Sequence, residues 1–428
     1  MTILLCALLL VVLLLAGMPI AFAMGLSGAA GLWAVGGFET MMGILAAAPY
    51  RNTASWLMTS LPLFVLMAEV LSASRLSSAM FDAANKWVGR LPGGLAVATV
   101  LTSAGFGAVC GSSTAATATM ARTAVPEGLR LGYDAGLITG TVAASGTLAI
   151  LIPPSLILVI YGILTENSIG SLFVAGIVPG LITALAYTLT ILIVVKRRPE
   201  LAPVADSAQA TWAERWAALR QLWPIVLLFA AVIGSLYSGV ITVTEVAAVG
   251  AAGAILIAGP LLRRLSWADL LGALRRTTHT TALIFAIIIG AHILSYFLTM
   301  TMATQTLVAF VAEQQWSAGT VLAALLVIYL ILGCVMDQLA ILVLTIPIVY
   351  PLIIKLGYDP IWFGIIVTKT VEIGLFTPPF GMNAFVASSI TGVPLRQVFR
   401  GLMPFVGAEL LLLAFFAAVP ASITWVVR

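Results

Sequence analysis

Residues 131–155 read LGYDAGLITGTVAASGTLAILIPPS, and residues 356–380 read LGYDPIWFGIIVTKTVEIGLFTPPF. At this offset of 225, Leu131-Gly132-Tyr133-Asp134 returns as Leu356-Gly357-Tyr358-Asp359, and Pro153-Pro154 returns as Pro378-Pro379. Seven of the 25 aligned positions are identical, where about two would match by chance from average residue usage. Upstream, the same offset lays Ala23, Gly25, Gly28 and Ala29 on Ala248, Gly250, Gly253 and Ala254. A slip of one residue then pairs Gly107-Ala-Val-Cys-Gly111 with Gly333-Cys-Val-Met-Asp337. Four consecutive matches with a co-registered Pro-Pro exceed coincidence among small residues. The chain therefore divides into two copies of one unit, about 1–195 and 224–428, joined by 196–223.

Of the 428 residues, 61% are hydrophobic and 8% charged, against about 25% charged in a soluble domain. Apolar runs of bilayer-crossing length recur throughout, which predicts an all-α polytopic membrane protein. The net charge of +4 comes from basic residues in short loops between apolar runs. That pattern reflects membrane topology, and no nucleic-acid partner is expected. Cys6, Cys110 and Cys334 lie far apart in apolar sequence without a CxxC, so neither a disulfide framework nor a zinc site follows. Residues 1–17 lack a basic leading region and are expected to be a first transmembrane helix rather than a cleaved signal.

Spans are expected at about 2–17, 19–37, 59–74, 135–163 and 171–195, then 225–241, 244–262, 279–299, 361–389 and 402–426. Between the third and fourth of each set lies a segment, about 93–127 and 319–355, interrupted by Gly or Pro. Each is too long for one pass and short of the roughly 40 residues plus turn that two passes need. A re-entrant hairpin fits better, and interrupted segments are what transporters use to build binding sites. With hairpins not crossing, each copy crosses five times; an odd number forces the copies into opposite orientations. Lys196, Arg197, Arg198, Arg215 and Arg220 mark 196–223 as a cytoplasmic joint, and Trp212, Trp216 and Trp223 suit a short interfacial helix there. Sixteen of the 20 Lys and Arg then fall on the cytoplasmic side, and only Arg51, Lys355, Lys369 and Arg428 elsewhere. Both termini are expected to be periplasmic, with the first hairpin opening to the cytoplasm and the second to the outside.

Candidate chemistry gathers at the hairpin tips and the double prolines. The first tip contains Gly111, Ser112, Ser113 and Thr114, and the following helix runs Ser145-Gly146-Thr147 to Pro153-Pro154. Adjacent prolines break the helical ladder, because neither has an N–H and each clashes with the preceding turn. Carbonyls freed there suit a small hard cation such as Na⁺, with Ser and Thr oxygens completing the shell. Half-helix N-termini favour an anionic substrate. The other reading of either break is a kink that only shapes packing. The second copy offers Asp337, Lys369, Glu372, Gly374, Thr377, Pro378 and Asn383. A charge at the bilayer centre costs roughly 2.5–3.5 kcal/mol on insertion scales, which makes these functional candidates. Lys369 and Glu372, three apart, also fit a mutual helical pair, and Asp337 also fits a helix cap. Glu69 and Glu245 lie near span ends and are expected to be interfacial or packing residues. His279 and His292 belong to no metal-ligand spacing. No Ser–His, paired-Asp or HExxH constellation supports an intramembrane enzyme, and hairpins that plug a pore disfavour a channel.

The GSST tip, the LAILIPPS break, the CVMDQLAILVLTIPIVYPL hairpin and the EIGLFTPPFGMN break, in this order, resemble the DctM-like large membrane subunit of tripartite ATP-independent periplasmic (TRAP) transporters. The resemblance runs from MPIAFAMGLSG near the start to the final span. It implies Na⁺-coupled import of a carboxylate solute, such as a C4-dicarboxylate or sialic acid, across the bacterial inner membrane by an elevator mechanism. It also implies two separate partners: a periplasmic solute-binding protein and a small four-helix membrane subunit. Carried over, it places the hairpin tips (Gly111, Ser112, Ser113; Asp337) and the breaks (Ser145 to Pro154; Gly374 to Asn383) at the Na⁺ and substrate sites; the residues expected at the substrate are Ser112, Ser113, Thr114, Asp337, Lys369 and Asn383. Gly111, Ser112, Ser145, Gly146, Thr147, Pro153, Asp337, Glu372, Gly374, Thr377, Pro378 and Asn383 fall at Na⁺. The spans near 59–74 and 279–299, with the polar stretches Arg75 to Arg90 and Thr301 to Trp316, would form the static scaffold. A stand-alone Na⁺- or H⁺-coupled anion transporter or antiporter of the same architecture is the alternative.

Overall fold

Gly, Pro and short polar residues punctuate the apolar sequence, and each interruption ends one helix and caps the next. The computed structural model describes residues 1–74, 76–203, 210–238 and 241–427, with no strand among them. Arg75, Arg428 and the middle of the joint, 204–209, lie outside the described residues. The first half builds α1 (Thr2–Leu15), α2 (Ile20–Thr53), α3 (Ser60–Ala73) and α4 (Leu76–Val88). A helical hairpin follows, α5 (Gly94–Cys110) and α6 (Ser113–Arg130). Next comes a helix broken into α7 (Ala135–Ser145), α8 (Leu148–Leu151) and α9 (Leu156–Thr165), then α10 (Ile169–Arg197). In the joint, α11 (Trp212–Arg220) is closed by a Thr211–Glu214 capping box.

The second half repeats the order with α12 (Trp223–Ser238), α13 (Val243–Leu256), α14 (Trp267–Met300) and α15 (Ala303–Glu313). Its hairpin is α16 (Ala318–Val335) and α17 (Gln338–Lys355), its broken helix α18 (Pro360–Gly374) and α19 (Met382–Thr391). The chain ends in α20 (Leu395–Ala418) and α21 (Ala421–Thr424). Nine helices among the described residues, or ten if the bent α11–α12 pair counts as one span, are long and apolar enough to cross a bilayer. These include both arms of the second hairpin.

Two helices are longer than the sequence pattern predicts. The span expected at 19–37 continues to Thr53, bent at Gly37, whose φ of +79° a side chain would strain. Beyond the bend Glu, Met, Leu and Ala are good helix formers, so the helix outlasts its apolar stretch. The span expected from 279 starts at Trp267, because Ser266 and Asp269 form a capping box in a stretch read as loop. Likewise, the polar stretches after α3 and α14 fold into α4 and α15, which pack on the hairpin arms α5 and α17.

The halves interlock. Helix α2 runs along α14, and α3 along α13, so corresponding helices exchange partners between the copies. Small residues permit the first crossing: a Cβ on Gly28 would lie 2.7 Å from Leu294 Cα, and one on Gly290 would collide with Ala21 O. Polar contacts join the halves elsewhere, from Trp56 Nε1 to Thr244 Oγ1 of α13 at 2.9 Å and from Arg276 Nε of α14 to Glu69 Oε2 of α3 at 2.6 Å. A separate apolar core fills the space between the first hairpin, α7 and α20, with Leu95, Val100, Met120, Ile138, Leu402 and Phe405 buried in it. There α7 and α20 touch backbone to backbone, since a Cβ on Gly401 would enter Gly136 O and one on Gly140 would sit 2.5 Å from Gly401 C.

Candidate functional site

Each hairpin reaches the break of its own half. A Cβ on Gly107 would lie 2.7 Å from Ala149 Cα, and one on Gly374 would lie 2.5 Å from Gly333 Cα, so glycine lets both arms press on both broken helices. Gly111 ends α5 in the left-handed conformation (φ +61°), and an added Cβ there would sit 2.9 Å from Pro154 O. Both the turn and the close approach therefore require glycine. At the second tip, Cys334 Sγ donates to Pro378 O at 3.6 Å. Both Pro-Pro bonds are cis.

Beside the first break, the second half reaches the first through Asn383. Asn383, fully buried near the start of α19, donates from Nδ2 to Ser113 Oγ at 2.6 Å and to Ala143 O at 3.2 Å. Its Oδ1 is buried without a hydrogen-bond partner, as is Thr117 Oγ1 on α6. Thr117 Oγ1 lies against Gly146, where any Cβ would strike it. Ser113 and Thr117 of α6, the end of α7 from Ala143 to Gly146, and Asn383 thus bring together oxygens, two of them buried without a hydrogen-bond partner, of a kind that suits a small cation. Ser112 caps α6 from the tip, accepting from Ala115 N at 3.5 Å, and Thr114 Oγ1 lies 3.3 Å from Ser112 Oγ.

Other candidates are engaged locally. Ser145 Oγ pairs with Ser103 Oγ of the hairpin arm at 2.8 Å, Thr147 donates to Ala144 O at 2.7 Å, and Thr377 donates to Ile373 O at 2.5 Å. Asp337 is the N-cap of α17, accepting from Leu339 N at 3.1 Å. Glu69 takes part in the α3–α14 pair, and Glu245 closes a capping box with Thr242. The break at Pro153 is fully enclosed, whereas Pro378, Pro379 and Phe380 are exposed. Beside them a cavity of about 460 Å³ is lined by Pro378, Arg396, Gln397, Phe399, Arg400 and Met403.

Lys369 and Glu372 form a different cluster. Lys369 Nζ lies 2.7 Å from a Glu409 oxygen and 3.4 Å from Glu372, and it donates to Thr183 Oγ1 at 2.8 Å; both carboxylates and the ammonium are 0% exposed. Lys369 thus donates to acceptors on α10 and α20, with Glu372 of its own α18 beside it as a second opposite charge. Neither Glu372 oxygen accepts a well-formed hydrogen bond, although Thr147 lies alongside. The sequence reading missed Glu409, Thr183, Thr117 and Ser103. Only Glu409 carried a signal, a lone carboxylate inside the apolar run of the last span.

The sequence model of the family described as "Tripartite ATP-independent periplasmic transporter, DctM component" matches residues 7–422. The C4-dicarboxylate TRAP transporter large permease protein DctM of Pseudomonas aeruginosa is 35% identical over 381 residues, 88% of this chain and 87% of that protein. An isethionate TRAP transporter permease protein, DctMQ of Oleidesulfovibrio alaskensis, is 31% identical over 95% of this chain and 64% of its own length. Among solved structures, the YdaH transporter of Alcanivorax borkumensis superposes with a TM-score of 0.63 at 14% identity, over 92% of this chain and 90% of that one. That last likeness concerns the fold alone.

Proposed function

The chain belongs to the DctM family of TRAP transporter large permeases, and from that premise we propose that it imports a carboxylate solute on a Na⁺ gradient. In this proposal it works with a periplasmic solute-binding protein and a small four-helix membrane subunit in the bacterial inner membrane. Charge placement supports cytoplasmic loops at 196–223 and periplasmic termini. The solutes for which relatives are named, C4-dicarboxylate and isethionate, support an anionic solute of low mass.

The observation that carries Na⁺ coupling is the pair of buried, partnerless oxygens, Asn383 Oδ1 and Thr117 Oγ1, beside Ser113 and the Ala143 carbonyl. Hydroxyl, amide and carbonyl oxygens without a titratable carboxylate suit a Na⁺ ion better than a proton. Na⁺ seated there would draw the first hairpin tip and α19 together. The neighbouring cavity at Pro378 would receive the solute, with Arg396 and Arg400 supplying the opposite charge. Hairpins and broken helices of both halves share these contacts and so would move as one body against the frame of α2, α3, α13 and α14, an elevator motion.

The test is uptake into proteoliposomes holding this chain and its membrane partner, with the binding protein supplied outside. Uptake should require both a Na⁺ gradient and the binding protein. Undiminished uptake on a proton gradient without Na⁺ would refute the coupling, and uptake without the binding protein would point to a stand-alone carrier.

A further inference from the structure

Where the end of α10 meets the starts of α7 and α20, a cavity of about 500 Å³ opens, lined by Arg197, Arg198, Arg400, Gln397, Asp134 and Pro404 among others. Three guanidiniums line it against one carboxylate, and Asp134 Oδ1 already accepts from Leu137 N at 2.8 Å. No ion pair engages any of the three arginines among the described residues. The glycine contact of Gly401 with Gly136 pins α7 to α20 one residue beyond Arg400, which fixes the cavity wall.

The surfaces leading away from this cavity are apolar. On α10, Leu181, Leu185, Leu189 and Ile193 are all exposed at four-residue spacing, one stripe that ends on Arg197. On α20 the line from Arg400 through Pro404 passes Gly407, where a Cβ would meet nothing within 4 Å, to the exposed Leu411. A cationic pocket continued by two apolar helix faces of span length has the shape of an amphiphile. A soluble anion would use the arginines and leave those faces idle.

We propose that this cavity binds the phosphate headgroup of an anionic phospholipid of the adjoining leaflet, with its acyl chains lying along α10 and α20. Guanidinium forks match phosphate oxygens in pairs, and basic pockets between membrane helices are suited to such headgroups. The site requires only that the chain lie in a bilayer; it shares Gln397 and Arg400 with the cavity at Pro378, whereas Arg197 and Arg198 belong to it alone.

The test uses the full-length protein purified in neutral detergent and native mass spectrometry with phosphatidylglycerol or phosphatidylcholine of identical acyl chains. One phosphatidylglycerol should be retained in preference to phosphatidylcholine. Each arginine supplies roughly fivefold, so Arg197→Gln/Arg198→Gln should weaken retention about 25-fold. Arg396→Gln, which lines only the cavity at Pro378, should leave it unchanged. Leu185→Asp keeps every arginine but sets a charge in the acyl path, and it should also lose the lipid. Equal retention of both lipids, or full retention in either the arginine pair or Leu185→Asp, would overturn the proposal. So would displacement of phosphatidylglycerol by inorganic phosphate or succinate, which would make this a site for soluble anions.

Discussion

Replacing Lys369 with Met would remove the ammonium that Glu409, Glu372 and Thr183 share at 2.7 to 3.4 Å, all of it sealed from solvent. Two carboxylates would then face each other in a low-dielectric interior with no counter-charge among the described residues. Stranding a buried charge in this way costs about 3–5 kcal/mol. At roughly 2.1 cal/mol/K of unfolding entropy per residue, a chain of 428 residues converts about 4 kcal/mol into a melting-temperature drop of about 4–5 °C. Glu372→Gln should cost less than about 1 kcal/mol, because the oxygens it alters accept no well-formed hydrogen bond and Lys369 keeps its nearer partner. The triple variant Lys369→Met/Glu372→Gln/Glu409→Leu leaves no stranded charge and should recover most of the loss, as apolar replacement of buried ion pairs commonly does. Tryptophan fluorescence during thermal unfolding of the detergent-purified protein reads all three. A Lys369→Met protein that melts within about 1 °C of wild type, or a triple variant less stable than the single one, would refute the assigned balance of charges.

Three further outcomes follow from individual contacts. Thr117→Val keeps the shape of the side chain but removes a partnerless oxygen, so the Na⁺ concentration for half-maximal uptake should rise about tenfold, one ligand's worth, with little change in melting; an unchanged Na⁺ dependence would exclude Thr117 as a ligand. Gly28→Ala drives a Cβ to within 2.7 Å of Leu294 backbone and should destabilise by about 1–3 kcal/mol, whereas Gly43→Ala meets nothing and should be neutral or stabilising by up to about 1 kcal/mol in the same melting assay. In the joint, Thr211 N and Oγ1 donate to Glu214 at 2.7 and 2.9 Å and hold its carboxyl below the usual range. A depressed value in the fold means the cap is complete above the ordinary carboxylate value of about 4.3 and is lost as pH falls through the lower one. The protection factors of α11 amides, corrected for the intrinsic pH dependence of exchange, should therefore fall at acid pH in the wild type and lose that acid step in Glu214→Gln.

Local chemistry made much of the architecture legible. Double prolines end α8 and interrupt the stretch between α18 and α19 because they cannot continue a ladder, wherever they are placed. The tips at Gly111 and Asp337 were visible for a similar reason: a left-handed glycine and an N-capping carboxylate are one-residue signals. Helix ends were harder to read where no breaker stood. The apolar pattern fades after Gly37, but helix propensity does not, so α2 runs on to Thr53. In α14 the apolar pattern starts late, while the Ser266 cap starts the helix early.

The candidate site was legible one half at a time, and its function arises between halves. Ser113 and Asn383 each looked polar and out of place, yet nothing local relates positions 270 residues apart. The bond between them depends on how the first tip and α19 are brought together, which is tertiary information. Lys369 illustrates the converse. Helical spacing predicted its pair with Glu372, and that contact exists at 3.4 Å, but Glu409 on another helix sits closer at 2.7 Å. Spacing finds partners on the same helix only. A buried charge, however, demands compensation from whichever helix can supply it, so a lysine in a membrane span is itself evidence of a carboxylate elsewhere. Glu409, alone in the apolar run of α20, is the residue that this demand should have singled out.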